Sequence, residues 1–138
     1  MNVYLYDRRP KPLERSRAKT LMVLGGTGAG KTTLLNTLVT YCLGVQRNDD
    51  FRYTIVDERG KNKAFSVTSE VTEYFIEERD GRCPPILIYD TPGFGDTSGA
   101  SNDEGIYNKI KTVLSAKLDR IHAVCFVGNS TLERLTPS

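Results

Sequence analysis

The sequence predicts an α/β layered fold with a mostly parallel sheet and one antiparallel strand pair. Three observations carry this expectation. An apolar run at 20–24 closes on glycines and is followed by an amphipathic stretch that starts at Lys31. Two further stretches, Thr72 to Glu78 and Pro85 to Tyr89, flank a turn centred on Asp80-Gly81 and read as a strand pair. A second helical pattern at 101–118 then leads into an apolar run at 121–127. Strands alternating with helices place the helices on the faces of a parallel sheet, and an Asp-Gly turn joins neighbouring strands antiparallel.

Each element has its own local signature. Thr20-Leu21-Met22-Val23-Leu24 is a short continuous apolar run, the pattern of a strand buried on both faces. In the helix that follows, Leu34, Leu35, Leu38, Val39 and Cys42 recur at three- and four-residue steps, and Gly44 supplies a stop. Residues 45–71 are less decided: Tyr53-Thr54-Ile55-Val56 and Ala64-Phe65-Ser66-Val67 flank the polar stretch 57–62, which reads as a small hairpin or a loop. Ser101-Asn102-Asp103-Glu104 is a capping-box pattern, and Ile106, Ile110, Val113, Leu114 and Leu118 behind it form one helical stripe.

The chain of 138 residues suffices for one domain with a real core. A net charge of +2 creates no field strong enough to draw in nucleic acid or anionic lipid, so no nucleic-acid partner is expected. Membrane association is possible but not encoded in this chain, since no apolar run approaches spanning length. Cys42, Cys83 and Cys125 show no metal-ligand spacing and suggest a reducing, cytoplasmic setting. Residues 1–19 read as a basic leader in front of a domain that occupies 20–138. Asp7 and Glu14 dilute its charge, which favours a solvated leader over an arm that contacts phosphate or lipid.

The chemistry concentrates in Gly25-Gly26-Thr27-Gly28-Ala29-Gly30-Lys31-Thr32, which fits G-x-x-x-x-G-K-[ST] between a strand and a helix. Glycines let the backbone wrap a phosphate chain with its N–H groups inward, and the helix start adds its positive dipole end. Lys31 then reaches the β- and γ-phosphates, the Thr32 hydroxyl coordinates magnesium, and Thr33 meets the α-phosphate. The second signal is Ile86-Leu87-Ile88-Tyr89-Asp90-Thr91-Pro92-Gly93. Its apolar strand delivers Asp90 where ligands of open α/β sheets collect. Asp90 holds Mg²⁺ through a water, and the Gly93 amide meets the γ-phosphate. A threonine closing over the metal is expected between Gly44 and the second strand. Ser66, Thr68 and Thr72 qualify, and Thr68 is favoured by its spacing from the strand. Phe94 stands directly after Gly93; a phenyl ring cannot orient water, so intrinsic hydrolysis is expected to be slow. His122 reads as structural rather than as a base.

With these motifs the chain resembles the translation-factor-related P-loop GTPases, and within them the septin, GIMAP and Toc branch. The resemblance rests on residues 24–36, on Ser66-Val67-Thr68, and on Asp90-Thr91-Pro92-Gly93-Phe94-Gly95-Asp96-Thr97. It implies a three-layer P-loop NTPase fold, GTP and GDP as ligands with Mg²⁺, a first switch at about 56–72 and a second at about 93–101. It also implies a homodimer across the nucleotide face, with catalytic groups supplied by a partner. The N/T-K-x-D box that selects guanine does not occur in the chain, so base specificity is not encoded here, and the expectation is an N-terminal part of a G domain. The alternatives are a nucleotide-binding scaffold with negligible hydrolysis, and an ATPase. Against the latter, no L-S-G-G-Q signature is present and Asp90 is followed by Thr-Pro-Gly rather than glutamate. An ammonium of Lys31 locked in a salt bridge with no room for an anion beside it would contradict the whole account.

Overall fold

The fold is given by a computed structural model that describes residues 1–25, 30–56, 65–66, 71–91 and 121–128, with residues 108, 111 and 115. In chain order the elements are β1 (Asn2–Leu5), α1 (Pro12–Arg17), β2 (Lys19–Leu24), α2 (Lys31–Cys42), β3 (Phe51–Thr54), β4 (Phe65–Ser66), β5 (Thr72–Ile76), β6 (Ile86–Thr91) and β7 (Ala123–Phe126). Asn108, Lys111 and Ser115 are helical and exposed. They fall between the apolar positions predicted for that helix, whose own side chains lie outside the described residues.

One five-stranded sheet organises the chain in the order β4-β5-β6-β2-β7. β2 lies between β6 and β7 and runs parallel to both, whereas β5 is antiparallel to β6 and β4 antiparallel to β5. The expected mixed sheet with its antiparallel pair is therefore observed. Met22, Val23 and Leu24 have no exposed surface, as a central strand requires. Side chains alternate between two cores. Val23, Ile88, Tyr74 and Ile76 pack on Leu35, Val39 and Cys42 of α2. Met22, Leu24, Leu87, Tyr89 and Phe75 face the other way, with Ala18 and Val71.

The punctuation follows from backbone chemistry. At the end of α2, Gly44 has φ +84°. Its N–H donates to Tyr41 O, and the Val45 N–H donates to Thr40 O, the paired bonds of a Schellman stop. Between β5 and β6, Asp80 and Gly81 both have positive φ, and the Arg82 N–H donates to Arg79 O, closing the turn. His122 is structural, as expected: its Nδ1 accepts the Thr20 N–H at 2.9 Å, and its own N–H donates to Thr20 O. Among the described residues β7 is the last strand of this sheet, and its Val124 and Phe126 are exposed rather than buried as an apolar run suggests.

Two expectations need correction. Tyr53-Thr54-Ile55-Val56 does not form a hairpin with 64–67: β3 pairs in parallel with β1, and β4 pairs with β5. The leader is not simply solvated either. Its strand forms this second, two-stranded sheet, where Tyr4, Tyr6, Phe51 and Tyr53 make edge and tilted ring contacts. Its helix docks on the sheet through a carboxylate. Glu73 of β5 has a fully buried side chain. It accepts two hydrogen bonds from Arg15, at 3.2 and 2.7 Å, and one from the Tyr89 hydroxyl at 2.7 Å. Arg9 approaches it at 3.6 Å. The leader's basic residues are thus in part counter-charges for the domain, which an isolated reading of its composition misses.

Burial alone pushes the Glu73 carboxyl up, but the hydrogen bonds from Arg15 and Tyr89 and the charges of Arg15 and Arg9 outweigh it and hold the group below 4.5. A depressed carboxyl contributes stability that is present above its unfolded value and lost as pH falls through the folded one. Removing one partner of a fully buried pair costs about 3–5 kcal/mol, but the Arg15 side chain is 39% exposed and solvent screens it, and Tyr89 and Arg9 remain. Arg15→Ala is therefore expected to lower unfolding free energy by about 1–2 kcal/mol at neutral pH, below that range. In urea denaturation the gap between variant and parent should narrow as pH is taken below 4.5.

Candidate functional site

The site lies where β2, β6 and α2 meet. The parallel register sets Val23 against Asp90 and Leu24 against Thr91, so both strands end at the same level. Thr91 braces that end, its hydroxyl donating to Val23 O at 3.2 Å. Alternation puts Asp90 on the same face of β6 as Ile88, the face covered by α2. The first residue of α2 is Lys31, and its Nζ lies 2.7 Å from Asp90 Oδ1. Both residues are buried, at 7% and 9% exposure, which is the setting in which a charge needs a partner.

Two glycines are required by this geometry. A Cβ on Gly25 would stand 2.8 Å from Val127 O and 3.3 Å from Cγ and Cδ of Lys31. Here the chain leaving β2 passes between the carbonyl after β7 and the lysine stem, and only a residue without a side chain fits. Gly30 has φ +98° and is the residue from which α2 starts, its carbonyl accepting the Leu34 N–H. It offers no side-chain cap, and no acidic residue stands in the first turn of α2. The helix start thus keeps amides that point outward with their positive dipole end, next to the only buried lysine among the described residues.

Of the residues expected from the sequence, Gly25, Gly30, Lys31, Thr32, Thr33 and Asp90 are gathered at this end of the sheet, Thr32 half-buried and Thr33 exposed. Gly26, Thr27, Gly28, Ala29, Thr68, Gly93 and Phe94 lie outside the described residues. Thr32 and Asp90 bring hard oxygen donors, a hydroxyl and a carboxylate. That donor chemistry suits Mg²⁺, which takes one or two carboxylates and completes its shell with water and substrate phosphate. Among the described residues no group of three or more His, Cys, Asp or Glu side chains is placed to hold a metal by itself. The salt bridge that would count against anion binding is present. Residues 26–29, which complete the motif in sequence, lie outside the described residues. Sequence reasoning overlooked Thr91, whose only signal was a hydroxyl-bearing residue directly after Asp90, and the buried Glu73, which had none.

The strand, glycine-rich turn and helix led by a buried lysine, with an aspartate ending the neighbouring parallel strand, define a P-loop NTPase fold. Residues 16–134 match the septin family model. The chain belongs to the septin family and corresponds to the N-terminal part of a septin-type G domain. It is 34% identical to Septin-1 of Drosophila melanogaster over 95 residues, which is 69% of this chain and 24% of the fly protein. It is 33% identical to septin homolog spn4 of Schizosaccharomyces pombe over 93 residues, 67% of this chain and 23% of the yeast protein. It is 29% identical to Septin-2 of Rattus norvegicus over 110 residues, 80% of this chain and 27% of the rat protein. The chain thus spans about a quarter of the length of these relatives. Of the three branches in the resemblance, the septin branch is the one these matches support. Among the described residues, no helix is long and apolar enough to cross a membrane.

Gly25→Ala is expected to cost about 1–3 kcal/mol, because its methyl meets a backbone carbonyl that cannot swing aside. Gly128→Ala, three residues along the sequence from Cys125 and with nothing within 4 Å of the added carbon, should change stability by about 0.5 kcal/mol or less. Guanidinium denaturation of the two variants checks the contrast.

Proposed function

We propose that this chain binds GTP and is a GTPase that converts GTP to GDP and phosphate, slowly when alone, as a switch or a nucleotide-dependent assembly module. The observation that carries the reading is the buried Lys31–Asp90 pair at the start of α2. A lysine held there by one carboxylate has its ammonium beside the amide-rich helix start, where a triphosphate with several negative charges outcompetes a single carboxylate for it.

The residues then divide the work. Gly25, Gly26, Thr27, Gly28, Ala29 and Gly30 supply main-chain N–H groups to the β- and γ-phosphates, and Thr33 meets the α-phosphate. Lys31 moves its ammonium from Asp90 to the β- and γ-oxygens and stabilises the charge that spreads over them as water attacks in line. Thr32, Asp90 and Thr68 would hold Mg²⁺, which neutralises phosphate charge when bound. The Gly93 amide meets the γ-phosphate, so Thr68 and Gly93 make the contacts that distinguish tri- from diphosphate. Phe94 provides no water-orienting group, and a second copy across the nucleotide face supplies what is missing. The same phenyl ring favours the scaffold reading, with negligible hydrolysis, as the alternative; single-turnover phosphate release separates the two. A cytoplasmic location fits a chain of this kind.

Titration with labelled GTP tests the reading. Lys31→Ala removes charged hydrogen bonds worth about 1.5–3 kcal/mol each, so affinity should fall at least about tenfold. Unlabelled GTP should displace the probe, and, because the guanine-selecting box does not occur in this chain, ATP should compete with it as well. Equal affinity of parent and variant would show that the lysine faces no phosphate.

A further inference from the structure

Asn36 is part of the motif run 24–36 and has no phosphate contact in the function proposed above. It also stands in the interior of α2, where asparagine is a poor helix former. Its oxygen is committed to a neighbouring segment. Asn36 Oδ1 accepts the Ile55 N–H at 2.8 Å and the Val56 N–H at 3.2 Å. One turn further along the same face, the Thr40 hydroxyl donates to Tyr53 O at 3.0 Å and accepts the Tyr53 N–H at 3.2 Å.

The reason lies in how β3 is paired. The carbonyls of Asp50 and Thr54 receive N–H groups from Asn2 and Tyr6, so that edge of the strand faces β1. Main-chain groups alternate along a strand, so Tyr53 and Ile55 present theirs to the opposite edge. No described strand lies there, and buried N–H groups need acceptors. Two side chains of α2 take the place of a strand, and Ile55 at that edge is 2% exposed. The helix whose first turn carries Lys31, Thr32 and Thr33 thus also carries the main chain at Ile55 and Val56.

We propose that Asn36 is a positioning residue: by fixing the main chain at Ile55 and Val56 to α2, it sets the preference of the site for a nucleoside triphosphate over a diphosphate. The inference rests on the function proposed above. There, diphosphate contacts come from 25–33, whereas the Thr68 contact to metal comes from chain that continues after Val56. Loss of the anchor leaves the first set in place and raises the ordering cost of the second.

The test titrates the parent chain, Asn36→Ala and Asn36→Asp with GDP and with a non-hydrolysable GTP analogue in Mg²⁺. Amide hydrogen exchange is followed at Ile55 and Val56, with Leu87 and Ile88 as controls for the fold. Two lost hydrogen bonds should weaken analogue binding by Asn36→Ala about tenfold and GDP binding by about twofold or less. Exchange at Ile55 and Val56 should rise about tenfold, with Leu87 and Ile88 unchanged. Asn36→Asp keeps an oxygen that accepts both N–H groups and should restore exchange and nucleotide preference together. Equal loss of both nucleotides, or a changed preference with unchanged exchange at Ile55 and Val56, overturns the proposal. A parent chain that binds neither nucleotide, with exchange at Ile55 and Val56 still rising in Asn36→Ala, overturns the nucleotide preference through the function and leaves the anchor itself demonstrated.

Discussion

The ion pair of Lys31 with Asp90 ties the described architecture to a single point. Two buried charges are costly in a protein interior unless they meet with good geometry. At 2.7 Å these two do, and the requirement reaches into three elements. β6 must end level with β2, which the register of Val23 against Asp90 and the Thr91 hydroxyl on Val23 O secure. α2 must begin directly behind β2, which needs the positive φ of Gly30 and the bare Cα of Gly25 against Val127 O. A change in the length of the turn between β2 and α2 would strand a carboxylate under the helix.

The antiparallel pair of β5 and β6 carries a second buried carboxylate, Glu73, opposite Tyr89 and one register step from Asp90. Because side chains alternate, the two carboxylates serve opposite faces. Asp90 is neutralised by the helix that follows β2, and Glu73 by Arg15 of the helix that precedes it. β2 is thus framed by two helices, each delivering one cation to the same neighbouring strand pair. This arrangement explains why α1 docks on the sheet, although the composition around it is that of a polar leader.

What was legible in the sequence was whatever local pattern controls. The apolar run of β2, the 3.6-residue spacing of α2, the Schellman stop at Gly44 and the Asp80-Gly81 turn each follow from residues within a few positions of one another. So did the site residues that are described, because the glycine-rich turn, its lysine and a strand-end aspartate are fixed by motif. The parallel pairing of β1 with β3 was not legible: it joins Asn2 to Phe51 across most of the first half of the chain, and neither strand has a flanking turn that names its partner. Glu73 was equally hidden, since a glutamate in Thr72-Glu73-Tyr74 looks like the polar side of an alternating strand until Arg15 and Tyr89 are brought to it. Asn36 was legible as a motif letter but not as a contact, because its partners are main-chain groups that carry no sequence signal.

Within the proposed function, the pair of Lys31 with Asp90 raises a question of competition. One ammonium cannot serve a carboxylate and a triphosphate equally, and an unpaired Asp90 would stand close to added negative charge. The conflict disappears if the carboxylate gains a new cation as the lysine turns to phosphate, and Thr32, adjacent to Lys31 in the first turn of α2, places a hard oxygen donor for that cation. Phosphate binding and metal binding are then coupled through Asp90: each makes the other less costly, because each leaves one member of the ion pair in need of a partner. Asparagine at position 90 would accept the lysine's hydrogen bond but carry no charge to hold a cation, so the coupling depends on the carboxylate and not merely on a polar group at the end of β6.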